Sequence, residues 1–395
     1  MSGTIVRAWD VDPVRVLVDL VSTPSVSGQE QAAVDVFARH ANAMGMHVET
    51  DEAGNVIASR GLRSAAVHIV LLGHIDTVPG HIPVRMEDGV LHGRGSVDAK
   101  GPLAAMLLGA AAAELPDDVQ VSVIGAVGEE TPRSPGARFL VDRLQPAACI
   151  IGEPSGWDGV TLGYKGRLLV EATSTKSNAH SAGPDLSPGD ELWRWWAGVR
   201  ALTERLNIDR SRAFDQLQAT IQSMGSSADG LIRTARLQAG FRLPPRISPE
   251  VLAAELRSLA PDDMRIEITG AEHAFASDRN DLVARAISNA IRAAGGIPRP
   301  KLKTGTSDMN IVAPRWRCPI AAYGPGDSAL DHTPEERISL EEFDRSIEVL
   351  RIAIATLAAE VRGRPRWHEE NLSLASVAES PPSQRKTPPD VIRIP

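Results

Sequence analysis

The stretch LLGHIDTVPGHIPVRMEDGVLHGRGSVDAK, residues 71–100, decides how the chain is read. It continues an apolar run that begins at Val67 and has the length and branched side chains of a buried strand. The strand ends in Gly73-His74-Ile75-Asp76-Thr77-Val78-Pro79. A turn-rich excursion follows, then Gly93-Arg94-Gly95-Ser96-Val97-Asp98, then an Ala/Leu/Met helix over about 101–114. A histidine at a strand end and an aspartate before a helix can both be held rigidly by the core, as a metal centre requires. His74 and Asp98 are therefore read as its first two ligands. Residues two apart on a strand point the same way, so Asp76 is placed to hold the His74 imidazole from behind. A polar strand end with a capping aspartate fits this segment equally well. The Gly93-Arg94-Gly95 run lacks the spacing of a phosphate loop.

Outward from this stretch, strands and helices alternate. Helices are expected from Asp12-Pro13 and from a Ser27/Glu30 capping box to about Gly45. A hairpin is expected over 48–59, and strands over 119–127 and 149–151 with a helix at 134–144 between them. This alternation predicts an α/β fold: a mixed, largely parallel sheet with helices on both faces. Ligands of such sheets sit at the carboxyl ends of strands, where His74, Glu129, Glu130 and Glu153 all fall. From 164 to 272 the order changes to strand, helix, strand, strand, helix, strand. That order predicts an inserted two-layer α/β domain, with 1–163 and 273–362 forming the main one. A helix over 280–294, a strand over 318–323 and a closing helix over 339–361 complete it. Residues 363–395 carry no sustained periodicity and read as a disordered tail.

Composition narrows the classes. Hydrophobic residues make up 43% and charged residues 23%, ordinary for a soluble protein. A net charge of −8 argues against nucleic acid as a partner. No apolar run reaches membrane-spanning length and the first residues lack a signal-peptide pattern, so no membrane is expected. The two cysteines, Cys149 and Cys318, lie in apolar segments, which favours free thiols and the cytoplasm.

Three more segments carry carboxylates or histidine at chain breaks: Gly128-Glu129-Glu130, Gly152-Glu153-Pro154 and Asp331-His332-Thr333-Pro334. Adjacent Glu129 and Glu130 diverge, so one can bind metal while the other works as general acid/base. Alone, a Glu-Glu pair also fits a solvated loop. Two histidines and three carboxylates suit zinc and similar divalent ions. An aspartate can bridge two such ions with its two oxygens.

In this order the motifs resemble the di-zinc superfamily of aminoacylases, acetylornithine deacetylases and succinyl-diaminopimelate desuccinylases, over about residues 12–360. The resemblance implies two divalent ions, Zn2+ first and Co2+ as an alternative. It implies His74, Asp98 as the bridge, Glu130, Glu153 and His332 as ligands, and Glu129 as general base, with Asp76 in support. It also implies a cis bond after Asp98, and a lid domain that makes a homodimer. His180 of that lid would reach the partner's active site to stabilise the oxyanion. Arg242 would meet the substrate carboxylate, and Gly305, Thr306 and Ser307 would line the pocket. Within the superfamily, 162–167, 303–310 and 323–328 look like the hydrolases that release lysine or ornithine from an amino-group carrier protein. There the amino acid hangs by an amide on the carrier's terminal glutamate side chain, and hydrolysis serves lysine or arginine biosynthesis. Such carriers are acidic, so a basic active-site mouth is expected, drawn from Arg94, Lys100, Arg133, Arg138, Lys165, Lys301 and Lys303. The rival readings are an N-acetyl-ornithine or N-acetyl-lysine deacetylase, a dipeptidase or carboxypeptidase of the same fold, and a non-catalytic binding module.

Overall fold

The computed structural model describes residues 11–180 and 183–362, so the expectation for 363–395 lies outside the described residues. Helices α1 (Pro13–Val21) and α2 (Gln31–Ala43) precede the hairpin β1 (His47–Thr50) and β2 (Val56–Arg60), then β3 (Val67–His74). Short strands β4 (Arg85–Glu87) and β5 (Val90–His92) lead to α3 (Lys100–Ala112), β6 (Val119–Ala126), α4 (Pro135–Val141), β7 (Ala148–Gly152) and β8 (Gly159–Tyr164). Next come β9 (Gly166–Ser177), α5 (Pro188–Leu206), β10 (Gln218–Ala228), β11 (Ile232–Leu243), α6 (Pro249–Ser258) and β12 (Arg265–Glu272). The chain returns through β13 (Phe275–Ala276), α7 (Leu282–Ala293), β14 (Arg299–Lys303), α8 (Met309–Trp316), β15 (Ile320–Ala322), β16 (Arg337–Ser339) and α9 (Leu340–Val361).

The apolar run 67–74 lies in the middle of the main sheet, ordered β1-β2-β6-β3-β7-β15-β8-β13 with β14 on β8. Its central strands β6, β3, β7 and β15 are parallel, and the flanking pairs β1–β2, β2–β6 and β15–β8 are antiparallel. Because β3 is covered on both faces, its residues Ile69 to Leu72 are apolar without alternation. One face packs on α1, α2, α3, α7 and α9 and the other on α4 and α8. Helix α3 is apolar all round and almost wholly buried, as a helix between a sheet and α9 must be. Gly109 lets α9 approach it: a Cβ there would stand 2.7 Å from the Leu350 Cβ.

Capping follows local chemistry at most starts. Asp12 accepts from Val14 N at 3.0 Å, and Ser187 and Asp190 form a full capping box. The box expected at Ser27 and Glu30 is absent. Helix α2 starts at Gln31 without a side-chain cap, because Ser27 Oγ donates to the buried Asp76 carboxylate at 2.6 Å. The free thiols are confirmed among the described residues, with Cys149 buried in β7 and Cys318 half-buried just before β15.

A second sheet, β10-β11-β9-β12, carries α5 and α6 and has its own core around Leu192, Trp195, Leu237 and Leu256. This is the two-layer α/β insertion. Lys165, between β8 and β9, is buried at its root, donating to the Ala213 carbonyl at 3.1 Å, to Gln218 Oε1 at 3.0 Å and to the Gln216 carbonyl. A third sheet, β16-β5-β4, pairs Arg337 with His92. It brings the 93–98 loop against the segment that carries His332.

Candidate metal centre and active site

Parallel register gathers the motif ends. His74 lies opposite Ala126, the last residue of β6 before the Glu129-Glu130 turn, and Gly73 lies opposite Gly152, the residue before Glu153. His74 is 2% exposed. Its Nδ1 donates to the Asp76 backbone carbonyl at 3.0 Å, since a carbonyl can only accept. Nε2 is thereby turned to Asp98 Oδ1 at 3.2 Å. The other oxygen, Asp98 Oδ2, stands 3.0 Å from His332 Nε2, which also lies 3.1 Å from Glu130 Oε1. Asp98 thus spans the two histidines with its two oxygens. The bond from Asp98 to Ala99 is cis.

Asp76 lies behind His74 as expected, its carboxylate 3.5 Å from Nδ1 and its own carbonyl nearer at 3.0 Å. It also has a second job, since the carboxylate accepts from Ser27 Oγ, from Glu129 N at 3.1 Å and from Glu130 N at 3.1 Å. It therefore fixes the turn that carries both glutamates.

Two groups of side chains bring ligand atoms within 4.8 Å of one another: His74, Glu129 and Glu130, and Asp98, Glu130 and His332. Glu153 is 8% exposed and lines the same cavity, but it lies outside both groups among the described residues. The cavity is about 500 Å3 and is also lined by Tyr164, Arg242, Lys303, Thr306 and Asp331. Arg242 reaches it from the root of β11, its Nη1 donating to Thr306 Oγ1 at 2.7 Å. Gly305 lines it as well, whereas Ser307 is buried behind, bonded through its N to Asn310 Oδ1 at 3.0 Å. His180 is exposed and is not among the cavity-lining residues of its own chain.

Electrostatics fit a cation pair. Burial, with Asp98 nearby, lifts the Glu153 carboxyl to about 8. Burial also lifts Glu129 well above its usual range and raises Glu130. His332 is pushed up to about 10 by its bonds to Asp98 and Glu130. Burial opposes charge on His74, yet Asp76 and Asp98 raise it well above the usual value. Packed carboxylates held so close repel one another, and divalent cations among them would supply the missing positive charge. The donor set of imidazole and carboxylate fits that group.

Sequence reasoning missed Glu336. It is buried, its Oε1 accepting from Val97 N and Asp98 N at 3.0 Å each and its Oε2 from Arg94 Nη1 at 2.7 Å. In Thr333-Pro334-Glu335-Glu336 it looks like a solvated charge, and nothing local marks it. The expected basic mouth is also thinner than its candidates. Arg94 serves Glu336, Lys100 is buried with Nζ 2.5 Å from the Thr23 carbonyl, and Arg138 pairs with Glu272. Lys301 and Lys303 do line the cavity.

Residues 70–356 match the model of peptidase family M20/M25/M40. A LysW-lysine hydrolase of Deinococcus radiodurans is 45% identical over 85% of this chain and 94% of its own length. A putative LysW-lysine/LysW-ornithine hydrolase of Thermococcus kodakarensis is 40% identical over 86% of this chain and 90% of its own. Among solved structures, an M20 family metallo-carboxypeptidase of Sulfolobus solfataricus superposes with a TM-score of 0.72 at 17% identity, over 89% of this chain and 100% of that one. A dinuclear metal-binding peptidase of the M20 family from Bacillus subtilis superposes at 0.67 with 15% identity, over 88% and 98%. At such identities these two show the fold. Motif order, the convergence of His74, Asp98, Glu130 and His332, and these similarities agree that the chain belongs to peptidase family M20/M25/M40.

Proposed function

We propose that the chain hydrolyses the amide that links lysine, or ornithine, to an amino-group carrier protein. The observation that carries the reading is the pair of overlapping ligand groups at a cavity that also holds Arg242. The names of its relatives support the substrate. His74, Asp98, Glu130, Glu153 and His332 would hold two divalent ions, zinc by their donor chemistry, with cobalt suited to the same ligands. Bound there, the ions supply Lewis acidity to the scissile carbonyl and acidify water.

Glu129 takes the proton of the attacking water and passes it to the leaving amine nitrogen. Asp76 keeps Glu129 in place through the turn amides. Arg242 pairs with the α-carboxylate of the leaving amino acid, its guanidinium steadied by Thr306. His180 is outside the cavity of its own chain, which supports its delivery in trans to a partner's oxyanion. Residues 164–272 then act as lid and dimerisation domain of a homodimer. The enzyme works in the cytoplasm; among the described residues no helix is long and apolar enough to cross a membrane.

The test compares turnover of carrier-linked lysine with that of Nα-acetyl-lysine and of dipeptides. Faster turnover of acetyl-lysine or of dipeptides would overturn the carrier reading. Glu129→Gln should keep the metal content and lose turnover by about 100-fold or more. Full activity of that variant would remove Glu129 as the base.

A further inference from the structure

Five carboxylates line the cavity, and four of them, Asp98, Glu129, Glu130 and Glu153, already have work in the reading above. The fifth, Asp331, has none. It follows the short 3-10 turn Ser328–Leu330 and belongs to neither ligand group. Its Oδ1 is buried and, among the described residues, has no hydrogen-bond partner. The same holds for the phenol oxygen of Tyr164, another lining residue, which is 2% exposed. An unpaired carboxylate oxygen and an unpaired phenol, buried on two residues that line one cavity, are unfavourable unless a donor bound there reaches them.

The lining cations show what that is. Lys301 Nζ is turned to the Ser155 carbonyl at 2.6 Å. Lys303 Nζ stands over the Tyr164 ring, 5.8 Å from its centroid. Arg242 spends one nitrogen on Thr306 and is the group suited to a carboxylate. An amino acid bound by its carboxylate at Arg242 projects its side chain into the remaining cavity. A volume of about 500 Å3 accommodates it. Only a side chain that ends in a hydrogen-bond donor satisfies both orphaned oxygens, and a cationic one also meets the charge of Asp331.

We propose that Asp331, with the Tyr164 phenol, receives the side-chain ammonium of the released amino acid and so selects a diamino acid over a neutral one. This rests on the carrier-hydrolase reading and names its specificity contact. A charge-assisted hydrogen bond corresponds to about 10- to 100-fold in binding.

The experiment uses the metal-loaded enzyme and carrier-tail peptides whose terminal glutamate side chain is amide-linked to lysine, ornithine or norleucine. Wild type should favour lysine over norleucine by about 10- to 100-fold in kcat/KM. Asp331→Asn should bring that ratio to within about threefold, with metal content intact. Tyr164→Phe should lower it several-fold, and guards against a poorly folding Asp331 variant. An unchanged ratio overturns the proposal. So does an equal fall on both substrates, the result expected if Asp331 only balances Lys303, and so does loss of metal. Wild-type turnover of the peptides tests the carrier reading separately. Calorimetric binding of free lysine against free norleucine reads the Asp331 contact even if the carrier is not the substrate. Equal affinities there overturn it.

Discussion

Glu336 offers the sharpest test of how the centre is held. Its buried carboxylate accepts from two successive amides, Val97 N and Asp98 N, and pairs with Arg94, whose side chain is 15% exposed. Glu336→Gln keeps the shape and one acceptor oxygen but removes the charge. Bonds to an ionised acceptor are roughly twice as strong as neutral ones, so each amide bond weakens by about 1 kcal/mol. The new amide group also faces Arg94 and leaves that half-dry cation without its partner, which raises the total to about 3–5 kcal/mol. The loss falls on the loop that aims Asp98. We therefore expect a lower Tm, and metal affinity weaker by about 10- to 100-fold, as for other supports of metal ligands. Chemical denaturation of the metal-free protein and metal titration by competition read the two effects. Wild-type stability together with wild-type metal affinity would refute the argument that Glu336 positions Asp98.

Three further outcomes follow from the same geometry. Arg242→Ala should reduce kcat/KM on carrier-linked lysine by about 2–4 kcal/mol in transition-state terms, and Thr306→Val, which frees the guanidinium and gives up the bond from Thr306 Oγ1 to the Lys165 carbonyl, by about 1 kcal/mol; steady-state kinetics separates them. Burial holds His68 down from 6.5 to about 4, its Nε2 2.9 Å from Ser122 Oγ. Its folded pKa lies below the unfolded one, so the unfolded chain binds the proton first. Stability is complete above about pH 6.5 and falls as pH drops toward 4, by at most about 3 kcal/mol. His68→Gln should flatten that acid limb in denaturation curves between pH 4 and 7, and an unchanged limb would assign it to other groups. Gly109→Ala should force α3 and α9 apart and cost about 1–3 kcal/mol; a variant as stable as wild type would show that this helix contact yields.

Much of the fold was legible because strand and helix periods are local. Val67 to Leu72 and Val119 to Val127 read as strands without tertiary help, and so did the strand and helix order of the insertion. Segments whose pattern is not local were missed. Strand β14, Arg-Pro-Lys-Leu-Lys, looks like a charged loop and is a strand only because β8 pairs with it. Helix α8 contains Pro314 and lies on the sheet through Met309, Val312 and Trp316. The capping box at Ser27 failed because a buried aspartate far along the chain competes for the serine.

The sequence by itself determined the chemistry of the centre: which histidines and carboxylates sit at chain breaks, and in what order. That information is covalent, since side-chain identity and spacing are properties of the chain. The packed structure decided which groups those residues meet. It turned Asp76 to the glutamate turn, set Glu336 behind Asp98 across 238 positions of sequence, buried Lys100 and Lys165, and left Lys303 and Asp331 facing one cavity. Burial and orientation arise from neighbours brought together by sheet register, and register depends on the whole sheet.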